Sequence, residues 1–274
     1  MGVNLARLIA AVTLFGSPAV AQVPADQAQV AVARWAELQK AIFPGRTLEP
    51  GEGVIALDAP VRALDAALVP FSVTTTGSKP IEKLYLIIDN NPGPLAGRFT
   101  FGEAGDPSLL KVRMRVNAYT NVHAVAEDAD GALYAVDKFV KASGGCSAPA
   151  PSHDPSALSL LGEMRFKMLS PVTLGKPAQA QLMVRHPNFN GMQMDQVTRH
   201  YTPAHFIKTI AITYGDQSVL HVESDIALSS DPVITFGFIP RQNARMKVVV
   251  SDSKGKQFEE EFDVAPNARV SEAH

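Results

Sequence analysis

Cysteine is almost missing from this chain. One residue in 274, Cys146, carries the only thiol. No disulfide can therefore form within one molecule, and no cysteine cluster is available to hold a metal. Charge of one sign is not in excess either, with 25 lysines and arginines against 27 aspartates and glutamates. That balance gives no electrostatic reason to bind nucleic acid or an anionic membrane surface. Long apolar runs are also absent. The stretch Leu8–Gly16 (LIAAVTLFG) is well short of the roughly 20 residues needed to cross a bilayer, and no later stretch approaches that length, so no membrane insertion is expected. No histidine pair has the short helical spacing of a zinc hydrolase, and no nucleophile-elbow pattern surrounds a serine. Metalloenzyme and hydrolase readings thus have little to start from.

The N-terminus does contain a secretory pattern. Arg7 supplies a positive start, Leu8–Gly16 an apolar centre, and Ala19–Ala21 (AVA) small residues before a cut at Gln22. Residues 1–21 are read as a signal peptide and the mature protein as periplasmic. Export places Cys146 in an oxidising compartment, where an unpaired cysteine forms an intermolecular bond, acts as a reactive thiol, or is a buried spectator. Its neighbours argue against burial. Ser143, Gly144, Gly145 and Ser147 surround it, and Pro149, Pro151 and Pro155 come after it.

Periodicity divides the remainder. In Asp26–Gly45, Ala31, Trp35, Leu38 and Ile42 recur at helical spacing, with Asp26 as a cap and Pro44–Gly45 as a stop. The single tryptophan is expected to pack this helix on the first domain. From about Val54 the period becomes two. Val69–Thr75 and Lys83–Asp89 read as strands. In Leu110–Val116, Leu110, Val112, Met114 and Val116 point one way, and Lys111, Arg113 and Arg115 point to solvent. Val122–Val140 reads as a hairpin turning at Asp128–Gly131. After the proline-rich stretch the pattern restarts, with strands at Ala180–Pro187, Phe206–Tyr214, Ser218–Ser224, Val233–Phe238, Met246–Asp252 and Lys256–Val264. Regular short strands and turn signals predict an all-β protein of two immunoglobulin-like antiparallel β-sandwich domains with a short N-terminal helix on the first. Its parts are a first sandwich at 22–142, a cysteine-bearing arm and linker at 143–157, and a second sandwich at 158–274.

Longer motifs carry a family resemblance. The first half, through LYLIIDNNPGPLAGRFTF (Leu84–Phe101) and NVHAVAEDADGALYAVDKFVKASGGC (Asn121–Cys146), resembles SoxY. The second, through VRHPNFNG (Val184–Gly191) and YTPAHFIKTIAITYGDQSVLHVE (Tyr201–Glu223), resembles SoxZ. These are the two subunits of the sulfur carrier of bacterial thiosulfate oxidation, and a fused pair also resembles carriers associated with quinoprotein (PQQ) dehydrogenases. The resemblance implies a carrier rather than an enzyme, without a cofactor, that holds a sulfur species covalently on Cys146. Its implied partners are sulfur-oxidation enzymes or a PQQ-dependent quinoprotein dehydrogenase system. It also implies a tight interface between the two domains, for which Phe206 and Ile207 are candidates beside ordinary core. In SoxY the cysteine lies near a free C-terminus. Here the chain continues through Ser147 and Ala148 into the second domain, so the arm is tethered at both ends.

The residues themselves support a presented thiol. Gly144 and Gly145 allow many backbone directions, and the later prolines resist helix and sheet. With Ser143 they are expected to form a flexible arm. From Val140 to Cys146 is six residues, roughly 20 Å when extended. Lys141 and His153 are the nearest candidates to favour a thiolate, neither close enough in sequence to assert it. His186, His205, His200 and His221 are scattered, and no metal site is expected of them. Met192 and Met194 suit copper(I), but suit a packed loop better. A scaffold that docks on a dehydrogenase, with Cys146 dispensable, is the competing reading.

Overall fold

The computed structural model of the chain describes residues 25–148, 159–195 and 198–264. The expected signal peptide and the proline-rich stretch with His153 lie outside the described residues.

Among the described residues, the helix α1 (Ala25–Ile42) precedes fifteen strands. The first half supplies β1 (Leu48–Pro50), β2 (Ile55–Asp58), β3 (Val69–Thr75), β4 (Ile81–Ile88), β5 (Leu95–Phe101), β6 (Gly105–Met114), β7 (Thr120–Asp128) and β8 (Leu133–Val140). The second supplies β9 (Met164–Met168), β10 (Ala178–Val184), β11 (Ile207–Tyr214), β12 (Gln217–Ser224), β13 (Val233–Phe238), β14 (Arg245–Asp252) and β15 (Gln257–Asp263). The alternation visible in the sequence forms these strands. Along β3, Val69, Phe71 and Val73 are buried while Pro70 is exposed, as one wet face requires.

The halves join edge to edge. One sheet runs β1-β8-β7-β4-β5-β12-β11-β14-β15 and the other β2-β3-β6-β13-β10-β9. Antiparallel pairing of β5 with β12 matches Phe99 to Val222, and pairing of β6 with β13 matches Leu110 to Phe236. Both layers are therefore continuous across the seam, and a single apolar core runs from Ile55 to Val264. Joining two open edges in each layer also satisfies backbone groups that would otherwise invite aggregation. Among the described strands the β1–β8 pair is parallel, and an isolated parallel bridge joins Arg62 to Lys141. The free edge strand β15 carries Glu259, Glu260 and Glu261, charges that discourage further pairing.

Helix α1 covers the outer face of the larger sheet. Leu38 and Phe43 pack on Tyr85, Ile87, Val125 and Leu133, which explains why β4 is buried on both faces. Trp35 stacks on His123 with ring centroids 3.6 Å apart, and His123 Nε2 lies 3.2 Å from Asp89 Oδ2. Tryptophan is thus the fastener expected of it.

Candidate functional site

After β8 the chain does not leave the body of the protein. The Lys141 amide donates to Val61 O (2.9 Å), the Gly144 amide to Asn117 O (2.8 Å) and the Gly145 amide to Val116 O (3.1 Å). The segment therefore runs as an extra rung between the 61–68 loop and the residues after β6. Gly144 has φ +76°, a left-handed conformation that favours glycine. Gly145 is required for a different reason. A Cβ there would overlap the Ala66 carbonyl oxygen and lie 2.6 Å from Val116 O.

This seating buries the thiol. Cys146 is 1% exposed, its carbonyl accepts from Asn190 Nδ2 (2.7 Å), and the Gly145 carbonyl accepts from Arg115 Nη1 (3.2 Å). The expected flexible arm with an exposed cysteine is thereby corrected. Ser143 is exposed, but Gly144 and Gly145 are hydrogen-bonded into place and Cys146 is enclosed. Composition suggested a free segment because small residues lack packing groups of their own. Here that smallness lets the backbone approach its neighbours closely.

Arg115 is the second unexpected residue. By alternation it belongs on the wet face with Lys111 and Arg113, which are exposed. β6 ends one residue earlier, and the second half covers the position. The Arg115 amide donates to Ala227 O (2.7 Å), and its Nη2 reaches Asn188 O at 3.5 Å. The side chain is 1% exposed and its Nε has no hydrogen-bond partner. Burial lowers its proton affinity, partly offset by Cys146 and by Asp65. A guanidinium keeps its charge under such a shift. Burial likewise pushes the Cys146 thiol up, and Arg115 opposes this only in part. In this state the sulfur is a neutral, protected thiol at neutral pH.

From the loop between β10 and β11, Asn190 reaches the cysteine and Asn188 reaches Arg115. Asn188 Nδ2 donates to Ser229 O (2.6 Å), its Oδ1 accepts from the Ile207 amide (2.9 Å), and its own amide donates to His186 Nδ1 (3.1 Å). Behind it lie His186, His205 and Asp252, all buried, with ligand atoms within 4.8 Å of one another. His205 Nε2 is 2.7 Å from Asp252 Oδ2, and His186 Nε2 is 3.8 Å from the same oxygen. Three such groups invite a metal, but the donor set does not fit one. His186 Nδ1 already accepts a backbone proton, so the neutral ring carries its own hydrogen on Nε2, the atom facing the carboxylate. A cation there would have to remove that last proton. The cluster is better described as a pin that fixes the asparagine loop to the end of β14. Burial, then the neighbouring His205, hold His186 down to about 4. Burial acts to raise Asp252, but hydrogen bonds from His205 and from the Lys256 and Lys254 amides outweigh it and lower its pKa.

Other expected residues lie elsewhere. His200 is exposed on a turn and His221 is half-buried on β12. Met192 is half-buried, its amide held by Asn190 Oδ1 (2.9 Å), as in a packed loop. Ile207 is core at 0% exposure, while the seam is made by the β5–β12 and β6–β13 pairs. Arg115, Asn188, Asn190 and Asp252 were not singled out by sequence reasoning. All four fall within stretches that did carry a signal: Asn188 and Asn190 in VRHPNFNG, Arg115 in the Leu110–Val116 alternation, and Asp252 at the end of the Met246–Asp252 strand.

Comparison with known proteins matches residues 39–146 to the family model described as sulfur oxidation protein SoxY. Residues 166–263 match the one described as sulphur oxidation protein SoxZ. The first match ends on Cys146. A solved structure of the sulfur carrier protein SoxY from Chlorobium limicola f thiosulfatophilum is 20% identical, covering 43% of this chain and 98% of its own, with a TM-score of 0.37. A Bacteroides ovatus mixed-linkage glucan utilization protein, SGBP-B, is 14% identical, covering 82% of this chain and 47% of its own, with a TM-score of 0.22. At such scores neither structure carries an argument, and the family matches alone do. No curated protein matches the chain.

Proposed function

We propose, for a chain that is a SoxY domain joined to a SoxZ domain, that Cys146 is the covalent attachment point of a sulfur cargo shown to partner enzymes. The sulfur-oxidation carrier role, and the absence of an enzymatic one, belong to both domain families. The finer assignment rests on one observation. The SoxY match closes on Cys146, and this is the only thiol in the chain. Loading forms a sulfur–sulfur bond at Sγ. The thiol proton leaves, and two electrons pass to an oxidising partner enzyme. The leader-like pattern around Arg7 and Ala19–Ala21 supports a periplasmic setting. Among the described residues no helix is long and apolar enough to cross a membrane.

The seated cysteine adds a step to this reading. Transfer requires Gly144–Cys146 to leave the rung between the 61–68 loop and the residues after β6, and the enclosed position is the resting one. Partners are sulfur-oxidation enzymes, and a link to a quinoprotein dehydrogenase rests on the resemblance of the fused pair. One observation favours a second reading, a docking scaffold in which Cys146 is dispensable: the thiol is enclosed. Replacing Cys146 with serine in the native host separates the two. Loss of sulfur oxidation with the fold intact supports the carrier. Undiminished sulfur oxidation supports the scaffold.

A further inference from the structure

Among the described residues, no ion pair balances the charge of Arg115. Arg115 is 1% exposed, and none of the ion pairs among the described residues includes it. Two of its five N–H groups meet carbonyls, Gly145 O at 3.2 Å and Asn188 O at 3.5 Å, while Nε meets nothing. The nearest carboxylate acting on it is Asp65, an exposed residue whose Oδ1 is taken by the Ala67 amide (2.8 Å). A buried cation without a counter-ion is strongly unfavourable, and folding rarely retains one that a neutral residue of similar volume could replace. The group that shares its enclosure is the only cysteine, which is next in the chain to the carbonyl it holds.

We propose that Arg115 is an internal anion seat, a buried guanidinium that pairs with the negative charge of an anionic group carried on Cys146. The inference deepens the carrier reading and rests on it. With a bare thiol the seam encloses a positive charge that has no ion-pair partner among the described residues. With an anionic adduct, such as one ending in a sulfonate, the two charges meet in a water-poor space where charge-assisted hydrogen bonds are strong. The loaded segment is then held more firmly than the empty one. A neutral adduct of the same size gains nothing. Arg115 is thus a positioning residue that selects adducts by charge.

Alkylation isolates that charge. In urea, the Cys146 thiolate displaces iodide from iodoacetate or iodoacetamide, forming a sulfur–carbon bond and releasing iodide. The two adducts have equal numbers of heavy atoms and differ by one negative charge. After refolding, the carboxymethyl protein should melt about 4 °C or more above the carboxamidomethyl protein at pH 7 and low salt. In Arg115→Gln the difference should fall within about 1 °C, and Arg115→Lys should keep part of it. Where Arg115→Gln does not fold, side-chain nitrogen NMR of the wild-type chain replaces it. The Arg115 Nε and Nη signals should shift in the carboxymethyl form and stay in the carboxamidomethyl form. Equal melting temperatures in the wild type, a difference that persists in Arg115→Gln, or unmoved Arg115 signals overturn the seat. So does failure of both alkylated proteins to regain their far-UV spectrum, since the seam then has no room for an adduct. None of these results depends on what Cys146 carries in the cell, so the seat and the carrier reading can fail separately.

Discussion

Replacing Gly145 with alanine tests how the cysteine is seated. The new Cβ overlaps the Ala66 carbonyl oxygen and lies 2.6 Å from Val116 O, both backbone atoms that no rotamer change can move. Seating then requires the 61–68 loop or the strand end to shift, at about 3 kcal/mol, the upper part of the overpacking range. The alternative is for the segment to lift off. Lifting breaks the Gly145–Val116, Arg115–Gly145 and Asn190–Cys146 hydrogen bonds, each worth about 1 kcal/mol net, while β4, β7 and the seam stay paired. A bias of about 3 kcal/mol changes the lifted population by roughly a hundredfold. The assay is labelling of Cys146 by an uncharged maleimide, with mass as the readout. Wild-type protein should label at least about a hundred times more slowly than urea-unfolded protein, because the thiol is enclosed. Gly145→Ala should recover most of that gap with its far-UV spectrum unchanged. Equal labelling of the variant and the wild type, or wild-type labelling as fast as the unfolded chain, refutes the seating.

The same geometry gives three further outcomes. Asn190→Ala removes the donor to the Cys146 carbonyl, so labelling should accelerate about tenfold, a smaller gain than with Gly145→Ala. His186 ordinarily titrates near 6.5 and is held to about 4 in the fold, so the unfolded chain binds more protons between those values. Stability is therefore full above pH 6.5 and falls as pH drops toward 4, by about 3 kcal/mol. Urea midpoints across that range should show the slope, and His186→Gln should flatten it. Cutting the chain at a protease site placed within residues 149–158 should leave the halves co-eluting on a sizing column at micromolar concentration, because both sheets cross the seam. Separation of the halves would contradict the shared core.

Strands such as β3, β10 and β14 were legible because they leave one face wetter than the other. β3 and β13 lie where alternation put them, and the β7–β8 turn falls at the aspartate–glycine pair. β5 and β9 were not named as strands. β5 carries Gly97 within Leu95–Phe101, and β9 spans only Met164–Met168. How the halves join was also hidden, since hydrogen bonds along an edge leave no mark on side-chain alternation. The site failed in an instructive way. Cys146 and its two glycines stood out in the sequence, but their mobility was inferred from composition, which cannot distinguish a glycine that frees the chain from one that admits a close neighbour. Arg115 shows the same limit, because alternation indicates which face a side chain occupies and not what covers that face. Asp252 contacts His205 only after the chain has returned through β11, β12, β13 and β14.

The central claim, that Cys146 carries the cargo, is tested most directly by intact mass of the protein isolated from its native host under non-reducing conditions. The account predicts an added mass that a thiol reductant removes, that maps to the peptide containing Cys146, and that is absent from Cys146→Ser. A bare Cys146 thiol in protein taken from cells actively oxidising sulfur would contradict it.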